Sequence, residues 1–170
     1  MILIGAVDMN WGIGLGGELL VSIPEDQVGV FRKYTNGHTV VYGRKTLKTY
    51  KDERLLPNRT NVILTKDETF EKEGAVICHS VDELDEYLKT TDDEVYVIGG
   101  EQTYNLLLSR CDKAIVTYIH AEFAADAFFP NLDENLEWRL VSEEPAVHSE
   151  IGLEFCVRHY ARVASEGSEL

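Results

Sequence analysis

One acid, two glycine turns and a pair of arginines are the residues of this sequence on which a reaction could rest. Asp26 follows Ile23-Pro24-Glu25 and has apolar Ile23 and Val30 on either side. An acid at the start of a helix ordinarily does no more than favour the positive end of the helix dipole, worth about 0.3–1 kcal/mol. In an apolar pocket the same carboxyl holds its proton to a higher pH and can serve as a general acid. Gly43-Arg44-Lys45-Thr46 and Gly99-Gly100-Glu101-Gln102-Thr103-Tyr104 each follow a β-branched run and lead into a helical pattern. Glycines at such a junction leave backbone N–H groups to meet an anion, and two such turns in one sheet suit a pyrophosphate. Arg44, Lys45 and Lys66 add cations for a further phosphate monoester. Arg54 and Arg59 lie five apart around Leu56-Pro57-Asn58. A guanidinium fork matches a carboxylate through two parallel bonds, although a surface arginine more often meets only water.

Gly12, Gly14 and Gly17 spell G-x-G-x-x-G behind the apolar run Met1 to Val7. In a dinucleotide-binding turn the third glycine opens a helix, and an acid about 20 residues on takes the ribose. Here Gly17 leads into Glu18-Leu19-Leu20-Val21-Ser22-Ile23-Pro24, which leaves no room for that helix. The glycines therefore read as a flexible loop of about 15 residues between a strand and a helix, and loops of this length are often lids.

The elements that must position these groups alternate. Ile2–Asp8, His38–Gly43, Thr60–Thr65, Ala75–Cys78, Val95–Gly99 and Lys113–Ile119 read as strands. Helices are expected over Ile23–Thr35, Arg44–Tyr50, Ser80–Thr91 and Glu101–Arg110; Ser80 with Glu83 forms a capping box. Glu137–Glu144 and Leu153–Arg162 read as an antiparallel pair. The pattern predicts a single α/β domain over 1–163, with a central, mostly parallel sheet, antiparallel C-terminal edge strands and flanking helices, and a frayed tail over 164–170.

The net charge of −14 is spread along the chain. It argues against a nucleic-acid or anionic-membrane partner, either of which needs a basic footprint, so any anionic ligand is held by local cations against the overall field. No apolar run approaches the ~20 residues needed to cross a bilayer, and a cytoplasmic setting is the default expectation. Cys78, Cys111 and Cys156 are too few and too scattered for a disulfide or metal framework and are expected as buried free thiols. No histidine pair has metal-ligand spacing, so no metal site is expected.

In this order, "GAV…GIG", "IPED", "GRKT", "LPNR", "SVDE", "VIGGEQTY" and "VTYIHAEFAADAFFP" make the chain resemble dihydrofolate reductase from Met1 to about Arg162. The resemblance implies hydride transfer from NADPH to the pteridine of 7,8-dihydrofolate, giving tetrahydrofolate for one-carbon metabolism, in a monomer open to antifolate-type molecules. It implies Asp26 as the acid, supported by Thr117, and a substrate pocket including Ile4, Gly5, Val30, Phe31 and Leu56. Arg59 corresponds to the arginine that pairs the substrate α-carboxylate, and Arg54 to a weaker flanking position. For NADPH it implies Ala6 and Ile98 near the nicotinamide, and Ile13, Gly14, Gly17, Glu18 and Leu19 on a mobile lid. Gly43 to Thr46 hold part of the phosphates, Leu64, Thr65, Lys66 and His79 the adenosine side, and Gly99 to Tyr104 the pyrophosphate turn.

Three positions depart from the family pattern. Val21 stands where a tryptophan usually orders water beside the acid. The spacing from Asp26 to Phe31 is one residue longer, with Gly29 between, so either Val30 or Phe31 faces the substrate and Glu25 or Gln27 competes in register. Gln102 replaces a frequent arginine. Two rival readings remain: a pyrimidinone reductase of riboflavin synthesis, whose substrate has no glutamate tail, and a protein that binds folate or NADPH without turnover.

Overall fold

The computed structural model describes residues 1–163; the tail expected over 164–170 lies outside the described residues. Nine strands form one sheet in the order β10-β12-β8-β1-β7-β4-β5-β6, with β11 (Val147–His148) pairing β12. The parallel part comprises β1 (Ile2–Val7), β4 (Thr39–Gly43), β5 (Thr60–Leu64), β6 (Val76–Cys78), β7 (Val95–Gly99) and β8 (Lys113–Ile119). At its end β12 (Glu154–Arg162) runs antiparallel to β8, followed by β10 (Trp138–Glu143), as the C-terminal sequence predicted.

Covered on both faces, these strands are apolar at consecutive positions, and side-chain alternation sends neighbours into different cores. Leu3, Val41, Val62, Val97 and Val116 pack on one face, and Ile4, Val40, Ile63, Ile98 and Ile115 on the other. The same parity turns Thr117 toward the face that carries Ile4 and Ile115. Register pairs Thr117 with Ala6 on β1. Cys78, Cys111 and Cys156 are buried and free.

Short helices connect the strands: α1 (Pro24–Asp26), α2 (Lys33–Thr35), α3 (Arg44–Leu47), α4 (Val81–Leu88) and α5 (Glu101–Leu107). Ser80 Oγ accepts from Glu83 N at 3.1 Å at the start of α4, but the Glu83 carboxylate takes the N–H of His79 at 2.6 Å. The box therefore closes one residue earlier than a standard one. The helix expected over Ile23–Thr35 begins one residue later, at Pro24, after an extended Ile23, and between α1 and α2 it widens into a π segment, Gln27–Arg32.

The expected flexible loop after β1 has structure of its own. β2 (Gly12–Leu15) and β3 (Glu18–Leu19) form a hairpin, and β9 (Ala127–Phe128) pairs with β2 to complete a three-stranded sheet. Gly16 and Gly17 turn the hairpin at φ 63° and 82°, left-handed values that a glycine pair accepts and that fit the strand twist. Trp11, 3 % exposed, anchors its root against Phe129 and Tyr160.

Candidate active site

The cleft opens at the carboxyl ends of β1, β4, β5, β7 and β8, where open α/β sheets place their ligands. Its deep part is lined by Ile4, Gly5, Ala6, Ile13, Leu19, Val21, Asp26, Gln27, Phe31, Tyr50, Ile98, Tyr104, Ile119 and Phe123, among others. The lining is apolar apart from a few groups, and Asp26 is the acid that counts. Its side chain is almost enclosed, and burial pushes its pKa above the ordinary aspartate value, while the bond from Thr117 pulls the other way. Thr117 Oγ1, itself buried, donates to Asp26 Oδ1. Asp26 Oδ2 takes no hydrogen bond from the described residues. One carboxyl oxygen is thus fixed by the protein and the other faces the cavity.

The π segment resolves the register question. In an α-helix, residues five apart point about 140° away from each other; in a π turn, bonded i to i+5, they are brought much closer to one face. Asp26 and Phe31 therefore share the cavity face. Val30 is rotated into the core beside Val40 and Ile63, so its expected place in the substrate pocket is corrected. Of the two competitors, Glu25 is tied away from the cavity: its carboxylate accepts from Ser149 Oγ at 2.8 Å and Glu150 N at 2.7 Å. Gln27 does line the cavity, beside Asp26.

A second region of the cleft, with a volume of ≈ 970 Å³, runs from the lid across α3 to β5 and α4. It gathers Ile13, Gly14, Gly17, Glu18, Leu19, Gly43, Arg44, Lys45, Thr46, Leu64, Thr65, Lys66 and His79, with Gly100, Glu101, Gln102 and Thr103 on its far side. The two glycine turns interlock. A Cβ at Gly43 would lie 2.8 Å from Thr103 Oγ1, and one at Gly99 would lie 3.2 Å from Thr46 Oγ1. Gly99, at φ 138°, joins Gly100 through a cis peptide. With α3 four residues long and α5 seven, a helix dipole adds little at either turn; what remains is the nearby cations. Lys45 and Lys66 make no ion pair with the described residues. Arg44 is less free, since its Nη1 donates to Asp67 Oδ2 at 2.8 Å and its guanidinium lies 4.5 Å over the Phe70 ring. His79 donates through Nδ1 to the Thr65 carbonyl at 2.9 Å, which sets its ring. Tyr104 is buried beneath both regions, its hydroxyl donating to Ile4 O at 2.7 Å.

Leu56, Arg54 and Arg59 lie outside both cavities. Arg59 is half-buried, with Nε donating to Thr35 Oγ1 at 3.2 Å and Nη1 to Pro57 O at 2.9 Å. Its guanidinium stands 5.8 Å over the Phe31 ring, at the cavity mouth. Arg54 is exposed, and its side chain makes no hydrogen bond or ion pair with the described residues.

Sequence reasoning missed several lining residues. Tyr50, Ile119 and Phe123 reach the cavity through folding alone and carry no local signal. Asp8 was readable as a buried acid ending a strand: 1 % exposed, it accepts from Asn10 N at 2.9 Å, Gly12 N at 2.8 Å and Phe123 N at 2.9 Å. It roots the lid beside the 120–126 loop. Asp126 ties the lid tip, its Oδ2 accepting from Gly16 N at 3.1 Å.

A family model described as dihydrofolate reductase matches residues 1–162. The dihydrofolate reductase of Bacillus subtilis is 38% identical over 146 residues, 85% of this chain and 83% of its own. That of Mycobacterium tuberculosis is 40% identical over 131 residues, 75% of this chain and 76% of its own. A solved structure, dihydrofolate reductase from Enterococcus faecalis complexed with NADP(H) and RAB-propyl, superposes with a TM-score of 0.84 at 34% identity, covering 95% of both chains. The family model and the relatives each span most of the sequence, and the chain belongs to the dihydrofolate reductase family.

Proposed function

We infer that this protein reduces 7,8-dihydrofolate to tetrahydrofolate with NADPH, using Asp26 as the acid. The observation that carries this reading is a carboxyl group of raised pKa, braced by Thr117, in an apolar cavity that continues into a groove with exposed cations. The groove suits a phosphorylated dinucleotide: Gly43 and Gly100 line it without side-chain bulk, and Lys45 and Lys66 lie beside them. NADPH supplies the hydride.

The chain supplies everything else. Asp26 Oδ1 is held by Thr117, which leaves Oδ2 to meet the amino and ring N–H edge of a pterin. Desolvation keeps the proton on this carboxyl to a higher pH than in water, and from there it is passed through water to the ring nitrogen beside the carbon that accepts hydride. Ile4, Phe31, Ile98 and Phe123 exclude water from the reacting face. Leu15, Leu19 and the Gly16-Gly17 turn cover the groove as a lid. Arg59 pairs the α-carboxylate of the glutamate tail and Arg54 adds a weaker, exposed charge; Leu56 flanks the path between. A monomer fits edge strand β10, whose pairing with β12 is broken by a bulge between Leu140 and Ser142; the cytoplasm is the setting proposed for it. Among the described residues, no helix is long and apolar enough to cross a membrane.

The test follows NADPH consumption by the purified protein. It is expected to require dihydrofolate and to be largely lost in Asp26→Asn near neutral pH. Consumption with a pyrimidinone instead, or binding of both ligands without turnover, would overturn the reading.

A further inference from the structure

Asn61 lies in neither cavity. It is on β5, 2 % exposed, and every hydrogen-bonding site of its carboxamide is used. Oδ1 accepts from Leu56 N at 3.0 Å and from Tyr42 OH at 2.7 Å. Nδ2 donates to Leu56 O at 3.0 Å and to Arg59 O at 3.2 Å. Two acceptor sites and two donors exhaust a primary amide, and the partners fix its orientation, because an amide N–H can only donate and carbonyls only accept.

Three of these four bonds end on one turn, Leu56 to Arg59. That turn has neither helix nor strand to hold it and carries Asn58 at φ 57°. On its outer side it is tied to the 36–37 turn, through Gly37 N to Asn58 O at 2.8 Å and Asn58 Nδ2 to Asn36 Oδ1 at 2.9 Å. Its inner side rests on Asn61. The Arg59 guanidinium bonds both to Pro57 O inside the same turn and to Thr35 Oγ1 on α2, so a rotation of the turn takes the fork off its Thr35 support and changes its aim. Tyr42, fully buried on the adjacent strand, packs edge-on to Tyr50, with centroids 6.0 Å apart, and Tyr50 lines the pterin cavity.

We propose that Asn61, braced by Tyr42, is a positioning residue for Arg59, and that this pair sets the protein's preference for a folate with its glutamate tail over a bare pterin. The proposal rests on the reading of Arg59 as the partner of the α-carboxylate. Asn61 touches no substrate; it fixes the backbone from which the fork projects. A carboxylate paired by a pre-set fork gains more than one that must first order the turn.

The experiment measures kcat and KM for 7,8-dihydrofolate and for 6-methyl-7,8-dihydropterin, which lacks the p-aminobenzoylglutamate, in the full chain. The variants are Asn61→Leu, Tyr42→Phe, Arg59→Ala and the Asn61→Leu/Arg59→Ala pair. In Asn61→Leu the KM for dihydrofolate is expected to rise about tenfold, while kcat/KM for the dihydropterin changes less than about twofold. Tyr42→Phe removes one of the four bonds and is expected to show the same split at about two- to threefold. Because Asn61 acts through Arg59, the double variant is expected to bind dihydrofolate no worse than Arg59→Ala alone. Equal losses on both substrates, an unchanged KM for dihydrofolate, or additive effects in the double variant would each overturn the proposal. If Asn61→Leu does not fold, the split in Tyr42→Phe decides. Should Arg59→Ala itself fail to discriminate between the substrates, the carboxylate role of Arg59 falls, a different failure from that of Asn61.

Discussion

At the pterin end of the cleft a lone carboxyl, Asp26, is enclosed among apolar side chains and bonded to a buried threonine; at the phosphate end Lys45 and Lys66 stand in solvent with no ion partner among the described residues. The first region removes water and so alters a proton affinity. The second keeps its cations hydrated, in a chain whose overall charge of −14 opposes an anionic ligand. Reaction and retention are thus assigned to different dielectric environments. The pterin end should answer to pH and the phosphate end to ionic strength, because exposed charges are screened over about 10 Å at ~0.1 M salt whereas buried ones are not.

The largest break in this contrast comes from Asp26→Asn. It is expected to lower kcat near neutral pH by about 10²-fold or more, followed as the loss of NADPH absorbance with dihydrofolate present. Wild-type activity should fall as pH rises through the elevated pKa of Asp26, and that limb should be missing from the variant. Thr117→Val comes next, with a loss of about tenfold. Since the Thr117 bond lowers the Asp26 pKa, its removal should move the same limb to higher pH; a limb that stays in place would separate Thr117 from the acid. Smaller still, Lys45→Gln or Lys66→Gln should raise the KM for NADPH about three- to fivefold and flatten its rise with added salt, leaving the pH limb alone. If salt altered the pH limb as strongly as the KM, the contrast between the two ends would fail.

The smallest effect concerns stability. The folded-state pKa of Asp26 lies above its unfolded value, so between the two the native state binds more protons and stability declines as pH rises. Asp26→Asn should therefore melt about 2–4 °C above wild type at neutral pH, with the gap closing as the pH is lowered through the folded pKa. Equal melting temperatures at every pH would mean that the enclosed carboxyl costs the fold nothing.

The strands, their alternation with helices and the antiparallel C-terminal pair were legible because β-branched runs and Gly or Pro boundaries are local signals. Gly43 to Thr46 and Gly99 to Tyr104 were legible for the same reason, being junctions. Less was visible at the lid. Four residues of β2 and two of β3 have no alternation to count, and their partner β9 lies more than 100 residues downstream. The π segment could be sensed only as a spacing one residue too long, and which side chain it would turn inward depended on packing. Arg44 looked available because Asp67 and Phe70, which occupy it, are neighbours only in the folded chain. Asn61 resembled an ordinary strand residue, and Asp8 showed only as an acid ending a strand; the importance of both lies in backbone groups of other segments that no sequence pattern marks.

The π segment has one more consequence, for how this chain can tolerate changes in length. A surplus residue within a strand would turn every later side chain to the wrong face. Here the surplus is taken up in a single widened coil around Gly29, where a Cβ would meet nothing within 4 Å. By Thr35, whose hydroxyl donates to Phe31 O at 2.7 Å, the ordinary helical step has returned. A codon gained or lost at that spot would be forgotten within two turns, with the acid on one side of it and the next strand on the other both undisturbed.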